Sequence, residues 1–236
     1  MRSARVRWEK YLESTSFDQS LGEKIVQDSA RAAVSEQGLL RHDLQRSLAR
    51  QSINPLTLSA FQRILLTTDG TVTEILEAYS GESICVVKLF QKAALLDKAI
   101  TAFELPWSNR VLRRNILLQG RMSLVNFLYA ESIIALDRLD EGVRDGLLKS
   151  KKPIGLLILE HRIETFKEIL DCGREKAGPL GEYFRIKDTA NVLFRTYRMI
   201  NRGRPIMMIT EKFPEDFFGS WDPASEQSVS YSRGQG

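Results

Sequence analysis

Two pairs of strand-like segments, each joined by only a few residues, constrain this chain more than any other feature in it. RVLRRNILLQG (110–120) and LVNFLYAESII (124–134) are rich in β-branched and large apolar residues and flank a turn at Gly120–Ser123. VLFRTYRMINRG (192–203) and RPIMMITEKF (204–213) do the same about a turn at Asn201–Arg204. Connections this short join antiparallel neighbours, because a parallel pair needs a crossover of roughly a dozen residues. SICVVKLFQ (83–91), bounded by Gly81, reads as a further strand.

Helical segments surround these strands. LTLSAFQRILLTTDG (56–70) reads as a helix with Ser59 as N-cap, an apolar face of Phe61, Ile64 and Leu65, and Gly70 as terminator. TVTEILEAYS (71–80) opens another, with Thr71 or Thr73 as cap. Residues 92–104 read as helix or loop, and 136–155 as a short helix and a turn. LLILEHRIETFKEIL (156–170) reads as strand at first and helix from about Glu164, with a loop-rich stretch over 173–190. The expected class is α+β: an antiparallel sheet of about six strands with helices packed over it.

Three divisions follow. Between Leu21 and Leu48 apolar residues recur at helical spacing, interrupted at Gly38, so residues 1–54 are expected to be an N-terminal helical extension. Residues 55–219 form the main domain. The Ser-, Gly- and Gln-rich segment 220–236 is expected to be a disordered tail.

Charge and cysteine usage narrow the chemistry. A net charge of +4, without a basic stripe interleaved with aromatics, argues against nucleic acid and suits a small anionic ligand. Cys85, Cys172, His42 and His161 lack metal-ligand spacing, so no metal is expected. No apolar run is long enough to cross a bilayer, and MRSARVRWEKYLES has no apolar region after its basic residues; a cytoplasmic protein without membrane contact is expected. One residue stands out. By the two-residue period Arg114 shares a strand face with Leu112, Ile116 and Leu118, and an unpaired buried charge in that company needs an anion. Arg113 points the other way.

Four blocks, in order, carry a family resemblance: DGTVTEILE (69–77), RVLRRNILLQG with AESIIALDRL (130–139), KPIGLLILEHRIETFKE (152–168) and YRMINRGRPIMMITEKF (197–213). Together they resemble the chorismate pyruvate-lyase family (4-hydroxybenzoate synthase), and more closely its branch long known only as a domain of unknown function. The resemblance spans about 56–218 and implies a chorismate-lyase-like fold with an enclosed ligand cavity, needing no cofactor. It implies that Arg114 grips a substrate carboxylate and that Glu211, in the Thr-Glu pair of the last strand, handles a proton. It places Ile154, within Pro153–Gly155, and Val72, a methionine in some members, over the substrate ring. Pro-Leu-Gly at Pro179–Gly181 also resembles the family turn; Pro-Ile-Gly at Pro153–Gly155 is preferred because RIETFKE follows it. Residues 1–54 have no counterpart in the compact members.

The activity implied is elimination of pyruvate from chorismate to give 4-hydroxybenzoate, with Arg114 and Glu211 as catalytic residues and Arg114, Glu211, Ile154 and Val72 binding substrate. Glu211, in a largely apolar strand, is expected to be poorly solvated with a raised pKa. Without the resemblance, Arg114 and Glu211 on neighbouring strands would read as a salt bridge. Glu131 and Glu164 are read as strand or helix-cap carboxylates, with Glu131 a candidate for supporting the site. Arg195, Arg198 and Arg202 are read as a solvated strand edge, one of them a candidate for the substrate's second carboxylate. The alternative is a non-catalytic, effector-sensing domain of the same fold, as in some transcription regulators, and beyond it a scaffold built around the N-terminal helices. The isomer of the product, its pathway and the oligomeric state stay open.

Overall fold

A computed structural model describes residues 42–219 apart from positions 52, 98, 101, 102, 107 and 151. Most of the expected extension (1–41) and the expected tail (220–236) lie outside the described residues. In chain order come α1 (His42–Arg50), α2 (Ala60–Thr67), α3 (Val72–Ser80), β1 (Ile84–Leu95), β2 (Arg110–Gly120) and β3 (Asn126–Ala135). Then follow α4 (Glu141–Lys149), α5 (Ile154–Glu160), β4 (Phe166–Lys176), the single turn α6 (Gly181–Phe184), β5 (Asn191–Asn201) and β6 (Arg204–Pro214). The six strands form one sheet in the order β1-β2-β3-β6-β5-β4, antiparallel at every pairing. The fold is therefore α+β, as expected.

Both faces of the sheet are covered, by different means. Leu65, Leu66, Leu76, Leu147 and Leu157 bring α2–α5 onto the face that carries Leu112, Ile116 and Leu118, forming the main core. On the other face the 96–105 segment packs on Val111, Ile133 and Met208. Leu180 and Phe184 pack there on Leu117 and Tyr129. Pro179–Gly181 thus lies across the sheet from Pro153–Gly155.

Local chemistry explains most element ends. Ser59 caps α2 through a capping box with Gln62, each side chain accepting from the other's backbone N–H. The buried face of α2 is Gln62, Leu65 and Leu66, not the expected stripe, and Ile64 is 47% exposed. Thr71 occupies the N-cap of α3 without a side-chain cap bond, and Gly81 ends it in the left-handed conformation at φ 69°.

Three expectations fail. Residues 156–170 are helix first and strand second, the reverse of the expected order. LLIL is apolar on all sides, so its period cannot distinguish the two. Pro153 starts a helix where its missing N–H costs nothing, and Gly146 of α4 lets Leu157 approach, for an added Cβ would lie 2.7 Å from Leu157 Cδ2. Arg162 at φ 50° then turns the chain into β4. Within 92–104, β1 continues to Leu95 past a bulge between Lys88 and Phe90. Within 173–190, β4 runs to Lys176 before a 3-10 turn and α6.

Candidate active site

The face of the sheet under α3 and α5 forms the floor of a cavity of about 150 Å³. Arg114 and Ile116 of β2, Ala130 and Ser132 of β3, Glu211 of β6 and Tyr197 of β5 line it, all on the phase set by the two-residue period. Ser132 faces Arg114 across one ladder and Ala130 faces Glu211 across the next. Arg114 and Glu211 are therefore separated by β3, two interstrand spacings or about 10 Å along the floor. The small side chains of Ala130 and Ser132 leave that interval open. The two residues are not on neighbouring strands, and among the described residues no salt bridge joins them; the carboxylate has a different partner.

Arg114 is 1% exposed, and its Nε and Nη1 have no hydrogen-bond partner. Nη2 donates only a long contact, 3.4 Å, to the Lys152 carbonyl. Burial lowers its pKa to about 10, which still leaves it a cation at neutral pH. Leaving buried charged donors unmade is expensive.

Glu211, 7% exposed, is held from behind. Arg195 Nε donates to its Oε2 at 2.7 Å and the Tyr197 hydroxyl donates to its Oε1 at 2.9 Å. Both contacts fix the orientation of the carboxylate. Arg195 is 0% exposed, which overturns its reading as a solvated edge residue. Its Nη1 donates to the Thr68 carbonyl at 2.9 Å and its guanidinium lies 5.1 Å from the Tyr197 ring centre. Burial alone would lower the Arg195 pKa, but the charge and hydrogen bond of Glu211 hold it above the ordinary value. Burial, reinforced by Glu211, pushes the Tyr197 hydroxyl well above its ordinary range, so it stays a donor.

Val72 and Ile154 line the roof with Pro153 and Gly155. The two helix starts touch there: an added Cβ on Gly155 would lie 2.8 Å from Thr71 Cγ2. Lys167 of β4 completes one wall, its Nζ donating to the Gly70 carbonyl at 2.7 Å and lying 5.5 Å from the Tyr197 ring centre. Glu131 is buried in β3 in register with Asn115 and Thr210, on the face away from the cavity. Glu164 lies in the turn before β4 and Arg202 is exposed at the hairpin tip. Arg198 pairs with Glu168 and Glu104 and is not simply solvated.

All four expected residues therefore line one cavity, together with Tyr197 and Lys167, while Arg195 stands behind Glu211. The added residues had a weak signal: Arg195 and Tyr197 alternate in phase on a strand read as a hairpin with that of Glu211. Lys167 had none, because its segment was read as helix.

An antiparallel sheet that presents a buried guanidinium and a braced carboxylate to one cavity beneath its helices defines an α+β domain with the chorismate-lyase-like fold. The Rv2949c-like chorismate pyruvate-lyase family model matches residues 66–219, and this chain belongs to that family. The chain is 33% identical over 180 residues to a chorismate pyruvate-lyase of Mycobacterium leprae, spanning 73% of this chain and 82% of that one. It is 32% identical over 163 residues to one of Mycobacterium tuberculosis, 66% of this chain and 80% of that one. The fold is shared with the effector domain of PhnF from Mycobacterium smegmatis at TM-score 0.50 and 13% identity, over 62% of this chain and 90% of that one. The whole PhnF chain gives TM-score 0.51 and 12% identity over 63% and 65%. Among the described residues no helix is long and apolar enough to cross a membrane.

Proposed function

We propose that this chain is a chorismate pyruvate-lyase, eliminating pyruvate from chorismate to give 4-hydroxybenzoate, with no cofactor taking part. The observation that carries the reading is Arg114: a buried cation with two donor atoms lacking partners, in the wall of a cavity. Its fork matches a carboxylate through two parallel charge-assisted hydrogen bonds. With the ring carboxylate on Arg114, the hydroxyl-bearing ring carbon lies toward Glu211. The carboxylate takes the hydrogen from that carbon, the ring closes its aromatic sextet, and the ether C–O bond breaks. The electron pair leaves with enolpyruvate, which regains the proton and becomes pyruvate. Aromatisation supplies the driving force, so the protein's task is to orient the substrate, exclude water and hold one proton. Val72 and Ile154 cover the ring.

The competing reading is a non-catalytic, effector-sensing domain of the same fold, which binds a small molecule without transforming it; the fold shared with the effector domain of PhnF is what keeps it in play. Purified chain mixed with chorismate decides between them. Pyruvate and 4-hydroxybenzoate should appear in equal amounts, far above the spontaneous rate. Binding without either product would reject the lyase.

A further inference from the structure

We propose that the Tyr197 hydroxyl is the general acid of this site, giving its proton to the ether oxygen of the departing enolpyruvyl group while Glu211 takes the hydrogen from the neighbouring ring carbon. The proposal rests on the chorismate reading above. Expelling an enolate into a largely apolar cavity creates an anion without a partner, which is costly. A proton donor at the breaking C–O bond removes that cost. Tyr197 lines the cavity with Glu211, is 4% exposed, and donates to Glu211 Oε1 at 2.9 Å.

The placing of these two groups suits the elimination. In chorismate the ring hydroxyl and the ether oxygen are trans on adjacent carbons. The hydrogen to be removed and the oxygen to be expelled therefore share one face of the ring. A base and an acid that serve them must stand side by side, on one side of the substrate. The carboxyl and phenolic oxygens do so, 2.9 Å apart in the wall of one cavity. Arg195 Nε occupies Oε2 at 2.7 Å, so a proton arriving at Glu211 is repelled least at Oε1, the oxygen that Tyr197 touches.

The protons balance between these two oxygens. A phenol carries one hydrogen, and its oxygen can also accept. Before reaction the Tyr197 hydrogen is directed at Oε1. Once Oε1 holds the ring hydrogen, it becomes the donor and the Tyr197 oxygen the acceptor, which releases the phenolic hydrogen to the ether oxygen. The electron pair of the broken C–H bond completes the aromatic ring. The ether oxygen keeps the pair of the broken C–O bond, takes the Tyr197 proton and leaves as enolpyruvate, which tautomerises to pyruvate. The Glu211 proton passes to the phenolate, and both side chains end as they began. Burial and then the Glu211 charge hold the hydroxyl well above its ordinary range. Protonation of Glu211 removes that charge, so the phenol becomes a better acid as the leaving group departs. The Arg195 guanidinium, 5.1 Å from the ring centre, favours the transient phenolate.

The test compares wild type with Tyr197→Phe in single turnovers of chorismate, run in water and in deuterium oxide. Both are repeated with substrate deuterated on the hydroxyl-bearing ring carbon, and 4-hydroxybenzoate binding is measured by calorimetry. The Tyr197→Phe rate should fall about 10²- to 10⁴-fold, the usual worth of general acid–base help. Its 4-hydroxybenzoate binding should weaken less than about tenfold, as for at most one hydrogen bond, which shows the cavity intact. Deuterium oxide and the ring deuterium should each slow wild type; Tyr197→Phe should keep the ring effect and lose the solvent effect. A slower Tyr197→Phe with its solvent effect undiminished would make the hydroxyl only a brace for Glu211 and overturn the assignment. An unchanged rate, or a wild type indifferent to deuterium oxide, would overturn it too. Should Tyr197→Phe not fold, fluorotyrosines of graded acidity at position 197 keep the shape and the contact. Turnover should then quicken as the hydroxyl becomes more acidic, and a rate independent of acidity would reject the role. A wild type that never turns chorismate over ends the lyase reading and this role with it, whereas the outcomes above end this role alone.

Discussion

Arg114 and Arg195 show two opposite uses of a buried guanidinium. Arg195 spends its charge on Glu211 and a backbone carbonyl, whereas Arg114 keeps two donor atoms unsatisfied. Removing an unpaired buried charge should relieve strain on the empty protein. Arg114→Met is therefore expected to raise stability by about 1–3 kcal/mol while weakening 4-hydroxybenzoate binding at least a hundredfold, measured by thermal melting and calorimetry on the same sample. Loss of both stability and binding would mean that Arg114 is structural. Glu211→Gln should behave otherwise, because it leaves Arg195 unpaired: turnover falls, and stability drops by about 3–5 kcal/mol. The double variant Arg195→Met/Glu211→Gln should recover most of that stability and none of the turnover. Recovery of both would show that Glu211 acts only through folding.

At the scale of elements, the cavity depends on how closely α5 can approach α3. Gly155 makes the approach possible, since a methyl group there meets Thr71 Cγ2 at 2.8 Å. Gly155→Ala is expected to push the two helix starts apart and weaken product binding several-fold, with Thr71→Ser in the same chain restoring it by removing the methyl it meets. A Gly155→Ala chain that binds like wild type would show that the roof adjusts freely. The floor is set by the β5–β6 hairpin. Asn201 pairs with Arg204 at its tip, and a regular ladder from there would set Arg195 opposite Thr210. The irregularity between Met199 and Ile200 shifts the register by one residue, so that Arg195 meets Glu211 and Thr196 meets Thr210. One bulged residue thereby puts both charges on the cavity face and both threonine hydroxyls, 2.8 Å apart, on the other.

For the whole molecule, the cavity joins strands and helices from residues 69 to 211, so ligand binding and global stability are coupled. At a concentration 100 times its Kd, 4-hydroxybenzoate should add about 2.7 kcal/mol, seen as a rise in Tm of roughly 5–10 °C for a domain of this size. The rise should vanish in Arg114→Met. The PhnF effector domain shares the fold at only 13% identity, and a fold does not by itself carry a chemistry.

The cavity face of the sheet is partly legible in the sequence. The phase of Leu112, Arg114, Ile116 and Leu118, the hairpin ending in Glu211 and the Ser59 cap all follow from local periods and local hydrogen bonds, which a sequence states directly. The partner of Glu211, the missing partners of Arg114 and the place of Lys167 do not. They depend on a one-residue register shift, on which strands lie between two charges, and on a segment whose apolar run suits helix and strand equally. Those are relations between residues distant in the chain, and packing alone settles them.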